Sequence, residues 1–112
     1  MMQWKYVTPL DVLVCMERLS DLDIGSVDEL NPFRVEIMRI ADAHVYLIYK
    51  GRRFSKGRRT EYLLSVLPAE ASSGANITVV FKGELFNLPY PITPISELDA
   101  FLKLTLNAYR ID

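Results

Sequence analysis

Cysteine occurs once in this 112-residue chain, as Cys15, and histidine and tryptophan also occur once each, as His44 and Trp4. A single cysteine excludes any disulfide within the chain, so the fold must hold without one, and a reducing, cytoplasmic compartment is the simplest expectation. One histidine and one cysteine cannot assemble a conventional zinc site. Neither sign of charge dominates: 13 Lys and Arg stand against 14 Asp and Glu, a net charge of −1. That balance argues against a surface coated for non-specific nucleic-acid binding and leaves a local patch open. No run approaches the ~20 apolar residues that span a bilayer. The opening Met1-Met2-Gln3-Trp4-Lys5 also lacks the basic-then-apolar pattern of a secretory leader.

Half of the residues are apolar and 11% are aromatic, enough to bury a real core in one domain spanning residues 1–112. There is no internal repeat. The polar stretch Glu70–Asn76 is the most linker-like piece and is short enough for an ordinary loop between strands.

Two helices carry the same start signal. Thr8-Pro9-Leu10-Asp11 reads as an N-cap threonine, a proline at the first helical position and an acid at the positive end of the dipole. Leu10, Leu13, Val14, Met16 and Leu19 then recur at helical spacing, which predicts a helix over 9–22. Thr93-Pro94 repeats the signal, with Ser96-Glu97-Leu98-Asp99 as a second cap. Ile95, Leu98, Phe101, Leu102, Thr105, Leu106 and Tyr109 form the apolar stripe of a long amphipathic helix over 94–110. Between these helices the period falls to two, and β-branched and aromatic runs predict strands near 33–41, 44–54, 58–67 and 76–86. Gln3–Val7 offers one more strand. The joints are too short for parallel crossovers, so the strands pair as an antiparallel meander. The expected fold is therefore α+β: one antiparallel sheet of about four to six strands, one face covered by the two helices.

The densest chemical signal is the run Lys50, Arg52, Arg53, Lys56, Arg58 and Arg59, six of the thirteen basic residues, at an expected hairpin tip with Gly51 and Gly57. It reads either as a solvated tip that discourages edge association or as an anion site for nucleic acid or another phosphate-bearing partner. Tyr49 and Phe54 could add stacking there. The run lacks the Gly-Lys-Ser/Thr ending of a phosphate loop. Catalysis has thin support. Cys15 falls inside an apolar helix and reads as a small core residue, while His44 opens a strand at a turn. Asp21, Asp23, Asp28 and Glu29 fit no calcium loop and read as solvated. No metal or cofactor is implied. Tyr46, Tyr62, Tyr109, Phe81 and Phe101 converge, as core packing or as the wall of a ligand pocket.

Strand, helix start Val7-Thr8-Pro9-Leu10-Asp11-Val12-Leu13, helix end Leu19-Ser20-Asp21-Leu22, meander and C-terminal amphipathic helix together resemble the START-related helix-grip superfamily. The resemblance covers the whole chain at the level of topology. The sheet is short by roughly two strands, and one clear helix stands where the family inserts two. The resemblance implies a curved sheet gripping the last helix around an apolar cavity, and non-catalytic binding or transport of a lipid-like molecule. Carried onto this sequence, the cavity-lining residues are Leu98, Phe101, Leu102, Thr105 and Tyr109 from the helix, with Tyr46, Ile48, Tyr62 and Leu64 from the sheet. A shortened sheet implies either a smaller cavity or completion by a second subunit, as a homodimer. The alternative function is an interaction module working through the basic run.

Overall fold

Alternating apolar residues can bury only one face of a strand, and the chain solves this with helices on one side of one sheet. A computed structural model describes residues 2–22, 33–40, 43–50, 60–70, 73–82 and 95–111. Its elements are β1 (Gln3–Thr8), α1 (Val12–Leu22), β2 (Arg34–Ile40), β3 (Ala43–Lys50), β4 (Thr60–Pro68), β5 (Ala75–Lys82), α2 (Ile95–Leu106) and β6 (Tyr109–Ile111). Among the described residues they form one antiparallel six-stranded sheet in the order β2-β3-β4-β5-β1-β6. The strand that comes first in sequence thus lies between the end of the meander and the last strand.

Register decides which residues meet the helices. Val35 lies opposite Ile48, Ile48 opposite Tyr62, Tyr62 opposite Phe81, and Leu64 between Tyr46 and Val79. Val79 faces Trp4, Ile77 faces Tyr6 and Ala75 faces Thr8. This face joins the buried Cys15 and Leu19 of α1 and Leu98, Phe101, Leu102 and Leu106 of α2 in one core.

The helix starts differ from expectation. α1 begins at Val12 rather than 9, because Asp11 is its cap: Asp11 Oδ1 accepts from the Val14 N–H at 2.9 Å, and the Asp11 carbonyl accepts from Cys15 at 3.1 Å. Thr8 is engaged elsewhere. Its hydroxyl donates to the Leu106 carbonyl and accepts from the Leu10 N–H. The start signal Thr93-Pro94 lies outside the described residues. The long C-terminal helix is shorter than its stripe suggests, 12 residues ending at Leu106. Asn107 takes a left-handed conformation (φ 52°), and its N–H donates to the Lys103 carbonyl. This is an αL cap, a conformation asparagine tolerates better than most residues. Tyr109 and Arg110 consequently belong to β6, not to the helix.

Gly74 makes the β4–β5 turn possible. Its carbonyl accepts from Ala69, and a Cβ there would run into the Thr8 carbonyl oxygen. Gly74→Ala should therefore lower stability by about 1–3 kcal/mol through forced displacement of β1. Asp11→Ala should cost about 1 kcal/mol through the lost cap. Urea unfolding monitored by circular dichroism checks both, and equal stability for Gly74→Ala would contradict the close approach.

Candidate functional site

Three tyrosines are buried against the helices, and their hydroxyls meet different fates. Tyr6 donates to Asp99 Oδ1 at 2.6 Å, and Asp99 in turn pairs with Arg110 at 3.5 Å. Burial first, then this hydrogen bond to a carboxylate, drives the Tyr6 hydroxyl far above the usual tyrosine range. Tyr46 sits over α1. Burial raises its hydroxyl, with Ser20 offsetting part of the rise. Among the described residues the Tyr62 hydroxyl has no hydrogen-bond partner, although the residue is 0% exposed. Burial and the nearby negative charge of Glu97 push it up to about 12.

Tyr62 is ringed by aromatics. Trp4 meets it edge-on at 5.9 Å between centroids, Phe33 at 6.4 Å and Phe81 at 5.9 Å, while Phe33 continues to Phe101 at 5.0 Å. These spacings are those of attractive aromatic pairs. Trp4 is half-buried and shared: it also lines an open groove of about 360 Å³ with Gln3, Lys5 and Ile111.

The sheet positions named from sequence all lie on this face: Tyr46, Ile48, Tyr62 and Leu64 are buried in the core with Leu98, Phe101 and Leu102. Thr105 is half-buried, and its carbonyl accepts from Arg18 Nη1 at 3.2 Å. Tyr109 is separated from them. It is 57% exposed on β6, with the Lys103 ammonium 5.7 Å over its ring. Arg52, Arg53, Lys56, Arg58 and Arg59 lie outside the described residues, as does the side chain of Lys50. The sequence places Phe33 in the first meander strand, in the same alternation as Val35, and Trp4 in the N-terminal strand, but names neither as a site residue, because their meeting with Tyr62 is made by strand pairing and packing.

The opposite face holds a second feature the sequence did not reveal. A row across four strands runs Arg34, Tyr49, Glu61, Lys82. Tyr49 donates to Glu36 Oε1 at 3.0 Å, Lys82 pairs with Glu61 at 3.8 Å, and the Arg34 Nε is buried without an acceptor. Glu61 is 2% exposed there. Cys15 is buried with its thiol raised by burial, and His44 is exposed. Among the described residues no cluster of metal-ligating side chains occurs, and no helix is long and apolar enough to cross a membrane.

Comparison with protein-family models, with curated proteins and with solved structures finds no match. Function must be read from the site.

The two tyrosines give opposite forecasts for one chemical change. Tyr6→Phe should destabilise by about 2 kcal/mol, the worth of a hydrogen bond to a charged group. Tyr62→Phe should be neutral or stabilising, because it removes a buried hydroxyl that nothing satisfies. Raised values mean that the folded state favours the neutral phenol. The associated stability is complete below the unfolded value of 10 and declines as pH climbs to about 12 for Tyr62. Tyr62→Phe should flatten that alkaline decline, as measured by urea midpoints at a series of pH values.

Proposed function

We propose that this chain binds a small, mostly apolar molecule that carries one neutral hydrogen-bonding atom, and that it does so without chemistry. The observation that carries the reading is the Tyr62 hydroxyl, fully buried in an aromatic ring and lacking a partner. Such a group costs about 1–3 kcal/mol where it stands, and an acceptor on a ligand would relieve it. Glu97 raises the Tyr62 phenol through its negative field, so the reading favours an alcohol, ether or ketone over a carboxylate. The apolar walls are Phe33, Phe81, Phe101, Leu98 and Leu64, and the half-buried Trp4 ring packs beside Tyr62 at their margin. The helix-grip relationship belongs to the same proposal. What supports it is that β1 pairs with the last strand of the β2–β5 meander and that α2 buries its apolar residues against that face.

Trp4 is the sole tryptophan, so its emission reports on this site directly. Titration with an isoprenoid alcohol should give a saturable change in intensity, weaker with the matching fatty acid. Tyr62→Phe should lower the affinity about tenfold, the worth of one hydrogen bond. No emission change with any apolar probe, together with no co-purifying mass in native mass spectrometry, would end the carrier reading.

A second reading treats residues 50–59 as the contact for nucleic acid or another phosphate-bearing partner. It is favoured by one detail. Lys50 and Thr60, on either side of the basic run in sequence, form the rung beyond Tyr49 and Glu61, and in that row the buried Arg34 Nε has no acceptor among the described residues. Changing Arg52, Arg53, Arg58 and Arg59 together to Ala should abolish binding to a single-stranded oligonucleotide and, with up to about four phosphate contacts gone, flatten its salt dependence. Unchanged affinity removes this reading.

A further inference from the structure

Sheets end in strands whose outer backbone groups have no partner, and proteins usually guard such edges with lysine, proline or a covering segment. β6 guards its edge weakly. It is last in the strand order, and all three of its residues are exposed. Tyr109 is 57% and Ile111 46% exposed; both lie in register opposite Val7 and Lys5, and the Lys103 ammonium of α2 reaches 5.7 Å over the Tyr109 ring. Its one charge, Arg110, lies on the other face of the strand and is engaged by Asp99.

We propose that the β6 edge pairs antiparallel with β6 of a second copy of this chain, about a two-fold axis through Arg110, making one continuous sheet. The sequence Tyr109-Arg110-Ile111 is complementary to itself in that register. Tyr109 of one copy falls opposite Ile111 of the other, twice over, which makes two apolar cross-strand pairs on one face. Arg110 falls opposite Arg110, and two like charges would repel there if bare. Each, however, has its Asp99 at 3.5 Å, so the axis is lined by two bases and two acids with no net charge. Ile111 also borders the groove shared with Gln3, Trp4 and Lys5. The Tyr109 ring of the second copy arrives at the mouth of that groove. Pairing over three residues is a small interface, below the ~1,200 Å² of stable complexes, which sets a weak and reversible association. This pairing is independent of whether the site at Tyr62 binds a ligand.

The register makes a specific test possible. Sedimentation velocity of the unmodified chain up to about 1 mM should show a monomer–dimer equilibrium. Tyr109→Glu and Ile111→Lys, both at exposed positions, should each weaken self-association about tenfold or more with circular dichroism unchanged. An equimolar mixture of the two variants should recover a dimer, because one Glu–Lys pair and one original Tyr–Ile pair then face each other. A chain that stays monomeric throughout, variants that associate as well as the unmodified chain, or a mixture that fails to recover would each overturn the proposal.

Discussion

The architecture depends on how β1 is held. Its helix-facing residues each make a different attachment. Trp4 packs on Tyr62, Tyr6 donates to Asp99, and Thr8 donates to the end of α2 at Leu106. The Tyr6–Asp99 bond is the central one. It joins the strand to the helix through a short, charge-assisted contact, and Arg110 on the other side of Asp99 brings β6 into the same network. Apolar contact alone would fix the position of α2 loosely; this bond, with the Thr8–Leu106 and Arg110–Asp99 contacts, adds direction to it. With these contacts, the helix has one register along the strand, and Leu98, Phe101, Leu102 and Leu106 fall where the sheet can receive them.

Polar groups are buried on both faces of this sheet, and their treatment is uneven. Tyr6, Tyr49 and Glu61 are buried and engaged, while the Tyr62 hydroxyl and the Arg34 Nε are buried and unpartnered. Folded proteins satisfy nearly all such groups, so the two exceptions carry more information than the satisfied majority. They lie on opposite faces and accompany the two functional readings. The carrier reading has the better-defined surroundings, because Trp4, Phe33 and Phe81 are placed around Tyr62 among the described residues.

The sequence made the element order and the antiparallel meander legible because period-two runs separated by short joints leave few alternatives. Tyr46, Ile48, Tyr62 and Leu64 are named as helix-facing through the resemblance, since a slip of one residue in a period-two run reverses the face. The helix ends were harder. Thr8 and Pro9 offered a plausible start, yet the hydroxyl of Thr8 is engaged by Leu106, 98 residues away, a contact that no local pattern contains. At the other end Asn107 was available as a stop signal, but the apolar stripe runs on through Tyr109 and masks it. Period two also separates the faces without showing which of them is covered, so the burial of Glu61 was not legible. The placement of β1 between β5 and β6 was out of reach too, because pairing partners are chosen by tertiary packing.

That placement governs how the molecule can come together. The meander is built from neighbours in sequence, whereas β1 reaches its partners only through contacts such as Tyr6 with Asp99, 93 residues apart. Local pairings close small loops and distant ones close large loops, so high-contact-order steps come late and slowly. During synthesis β1 must wait for β5 and α2 to emerge before it can insert. During that interval the exposed flank of β5 is an open template, and the cell must tolerate or shield it until β1 docks.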